Sequence, residues 1–137
     1  MHRYQAKSGF TLLEVIIVII IIGVLASLAM PRFFSTIEYS KGTEAMQSLA
    51  IIRQSIERCY LARTSYSSCN SFTNLDVEDP ANTPNVHFTY GFVNGAAAYT
   101  VTATRNTRDG GTGGTIVLTF NGTTVTRNGT GPFGAIQ

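Results

Sequence analysis

The chain has no tryptophan, two cysteines and two histidines among 137 residues, and only 13% of it is charged. Structural and catalytic zinc sites draw on clustered Cys and His. Here Cys59 and Cys69 form the only cysteine pair, and His2 and His87 are isolated, so no metal is expected. No serine, cysteine, histidine and carboxylate set suggests catalysis, which argues against an enzyme and calls for no cofactor. Net charge is +2, from ten Lys and Arg against eight Asp and Glu. There is no basic stripe with interleaved aromatics, so the sequence gives no direct evidence for nucleic acid as a partner. Two of the basic residues, Arg3 and Lys7, fall in the first nine positions, which hold no acid. A positive flank of this kind holds an N-terminus on the cytoplasmic side of a membrane. The run Asp109-Gly110-Gly111-Thr112-Gly113-Gly114 lacks the Gly-Lys-Ser/Thr of a phosphate loop and reads as a flexible hairpin turn.

What the chain does have is a steep gradient. Strong hydrophobicity is concentrated between Phe10 and Phe34, while the last third is rich in Thr, Gly and Asn. Phe10–Met30 is 21 residues long, near the ~20 that cross a bilayer as a helix. Glu14 interrupts it. A carboxylate inside a membrane helix costs about 2.5–3.5 kcal/mol near the centre and less towards the interface, so Glu14 asks for a partner. A secretory signal peptide would have a shorter apolar stretch with a small-residue cleavage site after it. A plain single-pass anchor accounts for the hydrophobicity and the positive flank but not for Glu14.

Gly9-Phe10-Thr11-Leu12-Leu13-Glu14 resembles the prepilin-peptidase motif of type IV pilins and type II secretion pseudopilins, most like a type IVa pilin. That family has a short basic leader ending in Gly, then Phe, and a Glu at the fifth mature position. The likeness continues through Gly23 and Pro31 and covers about the first 50 residues strongly. Lys7-Ser8-Gly9 departs slightly, since many members have a basic residue directly before the Gly. The resemblance implies cleavage between Gly9 and Phe10 by a prepilin peptidase and N-methylation of Phe10. It implies that Glu14 pairs with a Phe10 amine and fixes axial register, and that Gly23 and Pro31 loosen the helix. It also implies self-association into a helical homopolymer, served by an inner-membrane assembly platform and an ATPase motor. The precursor would be a single-pass protein of the bacterial inner membrane and the product an extracellular filament.

The fold expected is α+β, the type IV pilin fold: a long N-terminal helix, half transmembrane and half amphipathic, packed on a four-stranded antiparallel sheet. Residues 1–9 form the leader, 10–34 the transmembrane and filament-core helix, and 35–137 the globular domain. Within that domain, 35–62 continue the helix, 63–85 form the αβ-loop and 86–137 the sheet. Beyond Pro31, apolar residues recur at Phe34, Ile37, Ala45, Leu49, Ile52, Ile56 and Tyr60. Pro31 predicts a kink near Ser27–Pro31, and Gly42 costs about 1 kcal/mol relative to Ala. Val86, Phe88, Tyr90 and Phe92 alternate with polar or small residues, as do Tyr99, Val101 and Ala103, then Ile116, Leu118 and Phe120; Val125 marks a fourth strand. Asn94-Gly95 and Asn121-Gly122 are tight-turn signals. His87 falls on an outward strand position. In an exported domain Cys59 and Cys69 read as one disulfide.

The functional reading is a structural subunit of a type IV pilus supporting adhesion, motility or DNA uptake. The alternatives are a pseudopilin or minor pilin and, from another class, a membrane-tethered extracytoplasmic binding module. The last predicts a concave aromatic or charged cluster on the sheet.

Overall fold

A computed structural model describes residues 9–84 and 86–136. Helix α1 spans Leu12–Arg63 without interruption, through both Pro31 and Gly42. It ends at Thr64, which takes the left-handed conformation (φ 57°) while its N–H donates to the Tyr60 carbonyl at 2.7 Å. The chain divides into two compact units between Phe34 and Ser35.

In the second unit, short 3-10 turns follow at Tyr66–Ser68, Phe72–Asn74 and Pro80–Asn82. They give the expected loop far more local order than its polar composition suggested. Strands β1 (Phe88–Asn94), β2 (Tyr99–Arg105), β3 (Thr115–Phe120) and β4 (Val125–Gly129) then form an antiparallel sheet in sequential order. The fold is α+β, with the long helix packed on this sheet as the hydrophobic pattern requires.

The register explains the core. Val101 pairs with Leu118 and Ala103 with Ile116, so the apolar residues of β2 and β3 share one face. That face covers Ala45, Leu49, Ile52 and Ile56 of α1, all essentially inaccessible to solvent. The helical stripe differs from expectation at its start. Phe34 and Ile37 are exposed, and the buried seam there is Glu38 and Gly42. The strand alternation also continues one step further than expected: after Tyr99, Val101 and Ala103, the next inward position is Arg105, which is buried.

The C-terminal end closes the core. A turn at Gly131–Phe133 carries the Phe133 ring inwards, where it lies 5.5 Å from the Phe88 ring. A Cβ on Gly42 would stand 2.7 Å from the Phe133 ring, so this close approach of helix and ring depends on glycine.

Candidate assembly site

At the head of α1, Thr11 and Glu14 cap the helix reciprocally. The Glu14 N–H donates to Thr11 Oγ1 at 3.2 Å, and the Thr11 N–H donates to Glu14 Oε2 at 3.2 Å. This is a capping box, which satisfies backbone donors that a helix start leaves without intrahelical partners. The signal was present in Thr11-Leu12-Leu13-Glu14, a Thr-x-x-Glu directly before an apolar run, and the reading of Glu14 as a register residue passed over it. A carboxylate at a helix N-terminus also interacts favourably with the helix dipole. Glu14 is thus held against Thr11, and Phe10 just before it is 86% exposed. Gly9 and Phe10 precede the helix. Gly23 and Pro31 lie within it, both exposed, and a Cβ on Gly23 would meet nothing within 4 Å.

Behind this cap the side chains from Leu12 to Phe34 are exposed on every side of the helix. The helix has a window of mean hydropathy 3.0, long and apolar enough to cross a membrane, and none of that window is buried. A stretch that is apolar all round and uncovered requires lipid or other protein as its surroundings.

The globular unit holds a charged cluster where α1, β2 and the loop after β2 meet. The buried Arg105 side chain donates through Nε to Glu38 Oε2 at 2.9 Å and through Nη2 to Glu38 Oε1 at 3.0 Å. The same Nη2 donates to Asp109 Oδ1 at 2.8 Å. Lys41 bridges Glu38 at 3.2 Å and Asp109 at 2.7 Å. His87 Nδ1 lies 3.0 Å from Asp109 Oδ2, so His87 sits just before β1 and joins this cluster instead of lying on an outward strand face. The Arg105 guanidinium holds the Glu38 carboxyl below its usual range, and Lys41 with Arg105 does the same for Asp109. A Cβ on Gly111 would clash with Arg105 Nη2, which explains glycine at that point of the loop. The geometry is that of a structural clamp, in which both carboxylates have cationic partners.

The far end of the unit is tied by the Cys59–Cys69 disulfide. Asn94 Nδ2, expected only as a turn residue, donates to the Cys69 carbonyl at 2.7 Å and fastens the bridged loop to β1. Next to it, Tyr66 stacks on Tyr60 at 4.2 Å and lies 5.0 Å from Tyr99. The Tyr66 and Tyr99 hydroxyls donate to the two oxygens of Glu57 at 2.9 and 2.7 Å. Burial, with the Glu57 carboxylate alongside, pushes the Tyr66 phenol up to about 12. These aromatics are packing, not a ligand-binding face. Among the described residues no group of His, Cys, Asp and Glu is arranged to hold a metal ion.

A capped, wholly exposed apolar helix that continues into a disulfide-tied α+β unit defines the class of type IV pilins and pseudopilins. Within it, the chain belongs to the family of the type IV minor pilin ComP, DNA uptake sequence receptor, whose model matches residues 31–115. Residues 4–30 match the prokaryotic N-terminal methylation motif. The type II secretion system core protein G of Pseudomonas aeruginosa is 32% identical over 84 residues, 61% of this chain and 58% of the relative. The same protein of Escherichia coli is 32% identical over the same shares. The type IV major fimbrial protein FimA of Dichelobacter nodosus is 36% identical over 63 residues, 46% of this chain and 40% of its own. The chain therefore spans about half the length of the curated relatives it matches. No solved structure matches it.

Proposed function

We propose that this chain is a structural subunit of a type IV pilus, cleaved between Gly9 and Phe10, N-methylated at Phe10 and polymerised through its N-terminal helix. The observation that carries this reading is the exposed apolar run from Leu12 to Phe34 behind a capped Glu14. In a filament such runs bury one another, and Glu14 meets the Phe10 amine of its own or a neighbouring subunit. Two opposite charges in an apolar filament core attract strongly but are costly to desolvate, so the pair serves register more than net stability. Gly23 and Pro31 supply weak points along the helix for adjustment on assembly. The precursor waits in the bacterial inner membrane, and the assembly platform and motor are other proteins. Glu14→Ala is expected to insert in the membrane in normal amount and to give few filaments; normal filament numbers from that variant would overturn the register role.

A role in DNA uptake is the second reading, favoured over adhesion or motility by the family description. Exposed Arg108 and Arg127, which enter no ion pair among the described residues, are suited to phosphate contacts. Deletion of the gene is then expected to lower uptake of added DNA while surface filaments persist. Unchanged uptake would contradict that role.

A further inference from the structure

The two edges of the sheet are flanked by residues of opposite charge. On the β1 side, the turn Pro80–Asn82 packs along β1 and is preceded by Glu78 and Asp79. Glu44 of α1 joins them, because Glu44 and Asp79 both act electrostatically on Tyr90 of β1. Glu44 and Glu78 are exposed, and Asp79 is half-buried with one oxygen accepting from the Ala81 N–H. Arg108 lies near the same turn, beside Ala81 and Thr83, and leaves this rim with three acids against one cation. Among the described residues the ion pairs go to Glu38, Asp76 and Asp109, and none reaches Glu44, Glu78 or Asp79.

On the β4 side the signs reverse. Arg127 projects from β4 into solvent. With Arg53 of α1, Val125 and Thr126 it lines an open cleft of about 430 Å³. The Arg53 guanidinium also lies against the Tyr99 hydroxyl, and neither arginine has an ion pair among the described residues. Among the described residues the outer backbone edge of β4 has no neighbouring strand.

Strands about 4.8 Å apart place the two edges of a four-stranded sheet about 14 Å from one another, too far to pair within one subunit. A two-fold contact repeats one patch against itself, whereas patches on opposite edges meet only in a heterologous contact, which generates rings or open helical filaments. We propose that the β4 edge, through Arg127 and Arg53, receives the Glu44, Glu78 and Asp79 rim of a second copy of this chain. The proposal rests on the filament reading and adds a contact between globular units to the one between helices. Each exposed pair contributes little by itself. Complementary charge chiefly sets which faces meet and in what register, and like charges brought together there are strongly disfavoured.

The test uses the full-length chain, supplied to cells lacking their own copy, with the amount of chain in sheared filaments as readout. Arg127→Glu and Glu78→Arg, each at an exposed position, are expected to lower that amount at least about fivefold. The double variant with both reversals is expected to return to within about twofold of the unaltered chain, the signature of a direct pair. Single variants at the unaltered level, or a double variant no better than the singles, would overturn the contact. If Arg127→Glu leaves filaments intact and instead lowers their capture of duplex DNA, the β4 edge is a nucleic-acid surface and the proposal is wrong. Absence of the unaltered chain from filaments would remove the filament reading and this contact with it.

Discussion

A Cβ added at Gly42 would stand 2.7 and 2.9 Å from two carbons of the Phe133 ring, and Phe133 is fully buried. Helix propensity alone favours Gly42→Ala by about 1 kcal/mol. Overpacking a filled core costs about 1–3 kcal/mol, and here it wins because an aromatic ring under the C-terminal turn has nowhere to go. Gly42→Ala is therefore expected to lower the melting temperature of the full-length chain in detergent by several degrees, and Phe133→Leu in the same chain to recover part of the loss. A higher melting temperature for Gly42→Ala would show that the ring moves aside freely. Helix propensity marks Gly42 as a weak point of the helix, and the reason for it lies in a contact with the far end of the chain. His87 was misplaced for a related reason. Alternation assigned it to an outward strand face, but β1 begins one residue later and the imidazole turns to Asp109. By contrast Thr11 and Glu14 carried their local role in their spacing, because a capping box needs no distant partner.

The strands were legible as elements, since period-two alternation depends only on neighbours in sequence and survives folding intact. The helix was legible from Phe10 to Ala62 for the same reason, with observed bounds of Leu12–Arg63. The inner face of its globular half was read less well. A stripe made of apolar residues alone runs through Phe34 and Ile37, whereas the true seam passes through Glu38, whose charge is met by Arg105 from β2. Buried ion pairs break a hydrophobic pattern at both partners, and each break looks like surface until the two are brought together. These buried and paired ionisable groups make the unit's stability depend on pH at both ends. Arg58 and Ser55 hold the Asp76 carboxyl below its usual range, and Glu38 and Asp109 are likewise lowered. A lowered carboxyl contributes stability that is present above its unfolded value and lost as pH falls, so stability is expected to decline below about pH 4. The phenol of Tyr66 is raised to about 12. Its contribution is complete below the unfolded value of about 10 and lost as pH rises beyond it. Denaturant unfolding followed across pH should give a plateau with both flanks; a level response through strong acid would show that the carboxylates are equally well served in the unfolded chain.

At the scale of the whole molecule, two units with opposite demands on their surroundings share one helix. The first exposes an apolar surface that water cannot accommodate. The second has a closed core, a disulfide and a polar, Thr-rich outer sheet face. A tethered binding module would also need an anchor, but the concave aromatic or charged cluster it requires on the sheet is not what the globular unit presents. Tyr60, Tyr66 and Tyr99 pack on one another, and the buried Arg105 is paired with Glu38 and Asp109. On the proposed reading, filament assembly would use both halves, with the helix as the polymerising element and the globular unit as the surface. Mass spectrometry of filaments sheared from cells, beside the membrane fraction, tests this most directly. The account predicts that the chain in filaments begins at an N-methylated Phe10, while its precursor in the membrane begins at Met1. Filament-free cells in which the chain keeps Met1 throughout would contradict it and leave the tethered module in its place.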